Sequence, residues 1–243
     1  MTETVERTAT GAILYDRAII SQISASHFVP QGWAHAEQLT GEMGSGGRGN
    51  TMLVGNVPRQ FVLRRYRRGG LIGKIVRYHY FWTGENETRS FAEWRLLAKM
   101  AEFDLRVPRP AAARYQRRGT FYTADLITVT IPKVRPLSTV IAEAARNADF
   151  WASIGAAIHE FHEAGVYHAD MNAYNIQIDD NDKLWMLDFD KGCLKEPGPW
   201  QQETLNRLHR SLKKICTINP MLHFSTSNWE ALLAGYFAAS RSA

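Results

Sequence analysis

Cysteine is nearly absent from this 243-residue chain: Cys193 and Cys216 are the whole complement. Neither sits in a C-x-x-C pair or beside a spaced histidine partner. A disulfide scaffold or a zinc site is therefore not expected, and a reducing compartment fits. No stretch reaches the roughly 18 apolar residues that a spanning helix needs. Met1–Ala12 holds no apolar run of secretory type. The chain is expected to be soluble or to sit on a membrane, not to cross one. Internal repeats and low-complexity tracts are missing as well. Acidic residues are in deficit, 24 against 29 Lys and Arg, for a formal net charge of +5. That balance favours an anionic partner such as a nucleotide, a nucleic acid or a membrane surface. With 45% hydrophobic and 22% charged residues the composition is that of an ordinary globular protein.

Local patterns divide the chain. Residues 1–10 are polar and read as a frayed end. "GAILYDR" (11–17) reads as a strand. "GEMGSGGRGNTMLVG" (41–55) reads as strand, turn and strand, with the glycines at the bend. "RQFVLRRY" (59–66) alternates around Phe61 and Leu63 as a further strand. "TRSFAEWRLLAKMAEF" (88–103) has a helical face of Trp94, Leu97, Ala98 and Ala101, and Ser90 with Glu93 matches a capping box. "AAARY" and "FYTADLITV" follow as strands. Short and long helices are expected over 136–144 and 147–165, the second capped by Asn147 and ended by Gly165. "NIQI" and "KLWMLDF" read as a hairpin across "DDND", and helices close the chain over 200–217 and 227–240. Strands dominate residues 1–128 and helices dominate 129–243, with the boundary near Thr128–Pro132. The fold class expected is α+β, in two lobes.

The stretch "YHADMNAYNIQIDDNDKLWMLDFDKG" (167–192) carries the chemistry. Phosphoryl transfer from a nucleoside triphosphate calls for Mg²⁺, which prefers carboxylate and amide oxygens, and for a carboxylate near the attacking hydroxyl. Asp170 would face that hydroxyl. Asn175, five residues on, and Asp188, returned by the hairpin, would hold the metal. The glycine-dense turn over 44–49 would cover the phosphates with backbone N–H groups. Each residue has a plainer reading. Asp170 or Asn175 alone could be a turn residue bonding its own backbone, and His168 is read as a prop for the loop. Asp179, Asp180 and Asp182 look like a solvated hairpin tip. Asp190 is either of that kind or an assistant to the metal.

Together these residues resemble the protein kinase-like fold. Asp170 and Asn175 match H-x-D-x-x-x-x-N, and Asp188 and Phe189 match the start of D-F-G. Gly44, Gly46 and Gly49 match G-x-G-x-x-G. Glu93 lies on the helix that would carry the lobe-linking glutamate, with the capping box as its competing role. The pattern departs from the kinases in three places. Asp190 replaces the glycine of D-F-G, no A-P-E segment follows, and Arg64 stands where a kinase strand carries lysine.

A narrower resemblance is carried by "VLRRYRRGG", "YFWTGENETRSFAEWRLL", "VPRPAAARY", "YTADLIT", "YHADMNAYNI", "LDFDKG" and "NRLHRSLKK", from about residue 40 to residue 215. These are similar to the bacterial 3-deoxy-D-manno-octulosonic acid (Kdo) kinases, which are related to the lipopolysaccharide core heptose kinases. The resemblance implies ATP-dependent phosphorylation of the 4-hydroxyl of a Kdo sugar on a lipid A precursor. It implies a peripheral enzyme on the cytoplasmic face of the inner membrane, with Asp170 as catalytic base.

The stretch "RRYRRGGLIGKIVRYHYFW" (64–82) mixes arginine and lysine with aliphatic and aromatic residues, a composition that suits an anionic membrane surface. Packing of its apolar members into the N-terminal lobe is the alternative. Arg207, Arg210, Lys213 and Lys214 are a second basic group, and the pairs Arg207/Arg210 and Arg210/Lys214 can each share a helix face. Competing functions are a kinase of a heptose or of a soluble acceptor, an inactive binding module on a kinase scaffold, and nucleic-acid binding. The basic balance opposes an aminoglycoside pocket. Retention of Asp170, Asn175 and Asp188 opposes an inactive module. No recognised nucleic-acid module is present, so no nucleic-acid partner is expected.

Overall fold

The computed structural model describes residues 2–39, 51–67 and 78–241. The glycine turn with Gly44, Gly46 and Gly49 lies outside the described residues, as does the middle of the basic aromatic stretch, 68–77. The chain forms two compact units, one of Met1–Glu102 with Pro108–Ile131 and one of Phe103–Val107 with Pro132–Ala243. The class is α+β.

The first unit is an antiparallel sheet with one helix. Its strands are β1 (Glu3–Thr8), β2 (Gly11–Asp16), β3 (Ala36–Gln38), β4 (Thr51–Asn56), β5 (Arg59–Arg65), β6 (Tyr80–Phe81), β7 (Pro110–Arg118) and β8 (Phe121–Val129). The order is β1-β2-β7-β8-β5-β4-β3, with β6 also paired to β8. Residues 3–8, expected to fray, are a full edge strand that runs from Glu3 opposite Asp16 to Thr8 opposite Gly11. Their polar sequence shows no alternation because both faces of this edge are wet, except at half-buried Thr4. The core on one face of the sheet gathers Ile13, Tyr15, Val54, Phe61, Leu63 and Ile127.

Helix α1 (Arg89–Glu102) packs on β7. It buries Trp94, Leu97 and Met100, each contributing about 2 kcal/mol by removal from water. Phe91 and Leu96 widen that face, whereas Ala98 and Ala101 are only half-buried. The capping box does not form. The helix begins one residue before Ser90, and the Ser90 hydroxyl donates to the Arg114 carbonyl at 2.9 Å. Thr88 stands at the entry instead: its carbonyl accepts from Ala92 N–H, and its hydroxyl donates to the Glu85 carbonyl. Glu93 is thereby released for another partner.

The second unit holds β9 (Arg135–Pro136), α2 (Leu137–Glu143), α3 (Ala148–Glu163), β10 (Val166–Tyr167), β11 (Ile176–Ile178), β12 (Leu184–Met186), β13 (Cys193–Leu194), α4 (Trp200–Ile218) and α5 (Thr226–Ala239). The expected hairpin is β11 paired with β12, and β9 adds a third strand. Asn147 caps α3 by accepting from Phe150 N–H at 3.0 Å. Phe150, Trp151, Ile154, Ile158 and Phe161 are its buried stripe. Gly165, at φ +72°, takes the left-handed turn that ends the helix.

Helices α3 and α5 approach at backbone distance. A Cβ on Gly155 would stand 1.9 Å from the Leu232 carbonyl oxygen, and one on Gly235 would stand 2.0 Å from that of Ala152. Alanine normally stabilises a helix relative to glycine by about 1 kcal/mol. Here the clash is with backbone, so the sign reverses. Gly155→Ala is expected to lower stability by about 2 kcal/mol and the unfolding midpoint by roughly 5 °C. Gly198→Ala, where the new atom meets only ordinary contacts, is the matched control. Differential scanning calorimetry of the two variants checks this.

Candidate active site

The loop between β10 and β11 is built around one buried histidine. His168 is 1% exposed. Its Nδ1 accepts from the Asp170 N–H at 3.1 Å and its Nε2–H donates to the Leu187 carbonyl at 2.9 Å, which settles the tautomer. Burial pushes its pKa down, against the opposing pull of the Leu187 hydrogen bond, Asp188 and Asp170, so the ring stays neutral. Phe189 packs on the ring at 4.8 Å between centroids and is itself buried, with Phe161 of α3 beyond it. His168 thus joins the loop to the segment holding Asp188, the role expected for it.

The Asp170 backbone is held from both sides. Its carbonyl accepts from Asn172 Nδ2 and from Asn175 Nδ2, each at 2.9 Å. Its side chain takes no part in these bonds and is 68% exposed. Three hydrogen bonds at about 1 kcal/mol each hold this backbone, while the acid remains accessible.

Asn172 escaped the reading from sequence. Its Oδ1 accepts from Tyr174 N–H at 2.9 Å and from Asn175 N–H at 3.0 Å, closing an Asx turn inside the loop. The two asparagines three apart were the available signal. The Ala173 N–H donates to Ser211 Oγ of α4 at 3.3 Å, and the Ala173 carbonyl accepts from Ser138 N–H of α2 at 3.2 Å. Loop and helices are therefore knitted together through a residue that carries no functional group.

Asn175 is 1% exposed. Its Nδ2 is committed to the Asp170 carbonyl, and among the described residues its Oδ1 is buried without a hydrogen-bond partner. A buried acceptor left in that state costs about 1–3 kcal/mol. A hard cation would satisfy it, so the donor set fits Mg²⁺. The Leu187 N–H donates to the Asn175 carbonyl at 2.9 Å, which carries Asp188 to the next position along the chain. Asp188 adopts φ +62°, a left-handed conformation that is uncommon for a residue with a side chain. A carboxylate in that conformation, one residue beyond the segment hydrogen-bonded to Asn175, is a candidate partner for a cation at the amide oxygen. Asp179, by contrast, accepts from Asn181 N–H, Lys183 N–H and Trp185 Nε1, as a hairpin tip does.

In the strand-rich unit, Arg64 of β5 and Glu93 of α1 meet. Arg64 Nη2 donates to both Glu93 oxygens, at 2.6 and 2.5 Å, and the Tyr66 hydroxyl donates to Glu93 at 2.5 Å. The Arg64 guanidinium also lies 4.8 Å from the Tyr66 ring centroid. Glu93 is 3% exposed and the Arg64 side chain 18%. The strand-to-helix ion pair of the kinase pattern is present, with arginine in the place of lysine. That pairing excludes the capping role for Glu93.

The model of the lipopolysaccharide kinase (Kdo/WaaP) family matches residues 31–236. A 3-deoxy-D-manno-octulosonic acid kinase of Vibrio vulnificus (strain YJ016) is 40% identical over 92% of this chain and 94% of that protein. Enzymes of the same description from Xanthomonas campestris pv. campestris (strain B100) and Stenotrophomonas maltophilia (strain R551-3) are each 43% identical over 84% of this chain and 81% of theirs. Among solved structures, a crystal structure of WbdD is similar at 12% identity with a TM-score of 0.49, over 86% of this chain and 46% of that one. By the extent of the family match and of these relatives, the chain belongs to the lipopolysaccharide kinase (Kdo/WaaP) family and is an ATP-dependent sugar kinase.

Proposed function

We propose that this enzyme transfers the γ-phosphoryl group of ATP to the 4-hydroxyl of a Kdo sugar on a lipid A precursor, in lipopolysaccharide core synthesis. The observation that carries the reading is the loop itself. Asp170 has a pinned backbone and an exposed carboxylate, and Asn175 beside it has a buried, unsatisfied oxygen. Kdo enters from the printed description of relatives at about 40% identity.

Asp170 accepts the proton of the sugar hydroxyl as that oxygen attacks the γ-phosphorus. The bond to the ADP oxygen breaks, and the products are the sugar phosphate, ADP and a proton. Asn175 and Asp188 would hold Mg²⁺, which when bound neutralises charge on the phosphates. Arg64, oriented by Glu93 and Tyr66, anchors phosphate oxygens. Arginine does this as a planar fork rather than as a point charge. The glycines Gly44, Gly46 and Gly49 are assigned to the phosphates on sequence alone.

A peripheral position on the inner membrane, cytoplasmic side, is part of the proposal. In the strand-rich unit a cavity of about 300 Å³ is lined by Arg65, His79, Arg117 and Arg118. Buried Asp125 serves two guanidiniums at once, those of Arg65 and Arg114, so the cavity keeps a surplus of positive charge. Phe81, 61% exposed, packs at a tilt against Phe121 of the cavity lining, 4.8 Å between ring centroids. Cations for headgroups beside an exposed ring suit an anionic bilayer surface. Among the described residues no helix is long and apolar enough to cross a membrane. Arg117→Ser with Arg118→Ser is expected to lower the affinity for phosphatidylglycerol vesicles, read by co-sedimentation, about thirtyfold, at roughly 1 kcal/mol per charge near the surface. Unchanged binding would remove this part of the proposal.

The function is tested by incubating the protein with labelled ATP, Mg²⁺ and separate acceptors: Kdo-bearing lipid A precursor, a heptose-bearing core fragment, and soluble neutral sugars. Label in the first alone is the expected result. Label in the heptose fragment or the soluble sugars alone would overturn it.

A further inference from the structure

The reaction assigned to Asp170 leaves its neighbour unexplained. Arg207 of α4 places Nη1 3.9 Å from Asp170 Oδ1, too far for a hydrogen bond. Both side chains are open to water, Arg207 at 46%. An exposed pair of this kind contributes little to stability, so the contact has little structural value. Among the described residues, Arg207 donates no hydrogen bond, although a guanidinium carries five N–H donors. Such a placement makes sense where the cation has a second anion to hold.

The helix is aimed for that purpose. Ser211, one turn after Arg207, takes the Ala173 N–H at 3.3 Å and docks this face of α4 on the loop. Leu208, Leu212 and Ile215 are buried on the adjoining face of the helix. Arg207, with Arg210 and Lys214 within two turns, is therefore presented at the mouth of the loop. The substrate class named for the relatives is an octulosonic acid, which carries an ionised carboxylate at neutral pH. That group is absent from ordinary neutral sugars.

We infer that Arg207 is the specificity residue of the acceptor site: its guanidinium binds the carboxylate of the acid sugar and so sets the hydroxyl before Asp170. The inference rests on the function proposed above. An arginine fork pairs with a carboxylate through two parallel N–H···O bonds, which fixes orientation as well as affinity. Arg210 and Lys214 extend the positive field from which the acceptor approaches.

Steady-state kinetics on the full chain test this, with two acceptors: the Kdo-bearing lipid precursor, and the same molecule with its Kdo carboxylates converted to methyl esters. Arg207→Gln is expected to raise KM for the acid acceptor tenfold to a hundredfold, with kcat and KM for ATP within about twofold. Wild type and Arg207→Gln should use the ester equally poorly, since the partner group is gone. Arg207→Lys should recover part of the loss on the acid acceptor. A fall in kcat with unchanged acceptor KM would overturn the inference, as would a full Arg207→Gln penalty on the ester. Either result leaves the Kdo kinase reading standing, because wild type still labels the acid acceptor. Wild type that labels neither acceptor would overturn both.

Discussion

Asp170→Asn is expected to reduce kcat about a thousandfold, within the range that a positioned general base supplies, and to leave ATP affinity and folding unchanged. The separation follows from where the bonds lie. The Asp170 N–H and carbonyl make the contacts to His168, Asn172 and Asn175, and asparagine keeps all of them. The side chain is 68% exposed and, among the described residues, its carboxylate makes only the long contact with Arg207. Removing its charge therefore changes the proton acceptor and little else. Circular dichroism and nucleotide titration beside the transfer assay check the claim. A variant retaining a tenth or more of wild-type kcat would show that Asp170 is not the base.

Asn175→Leu is expected to lower activity by a comparable factor with almost no loss of stability in metal-free protein. Most buried asparagines behave otherwise, because removing a satisfied amide strands its partners. Here, among the described residues, the Oδ1 is already without a partner, and the Asp170 carbonyl retains the Asn172 amide. Leucine is close in volume and apolar, so unfolding in EDTA should stay within about 1 kcal/mol of wild type. Wild type should gain stability on addition of Mg²⁺ with a nucleotide, and the variant should gain much less. Asp188→Asn should show the same loss of activity and the same blunted gain. Denaturant titrations with and without Mg²⁺ and a non-hydrolysable ATP analogue measure this. Full Mg²⁺-dependent stabilisation in Asn175→Leu would remove Asn175 from the metal site.

The parts of this site that were legible in sequence are those written locally. The five-residue interval from Asp170 to Asn175 is a single loop, and the "DDND" hairpin brings Asp188 back without any long-range knowledge. Residues that act through tertiary contact were hidden. Ser211 and Arg207 belong to a helix about 40 residues downstream, and nothing in "NRLHRSLKK" says which loop it will face. Glu93 shows how a local rule loses to a distant partner. Its spacing from Ser90 fits a cap, but the Arg64 guanidinium, 29 positions away, takes the carboxylate. Strand β1 was missed for a related reason: an edge strand wet on both faces carries no periodicity, and its pairing with β2 supplies the order.

Direct analysis of the product bears most closely on the central claim. Kdo-bearing lipid A precursor incubated with the enzyme, ATP and Mg²⁺ would be examined by proton–phosphorus correlation NMR. A new phosphomonoester coupled to the proton at carbon 4 of Kdo, absent with Asp170→Asn, is the expected result. ATP turnover with no phosphate on that sugar, or an equal product from the Asp170 variant, would contradict it.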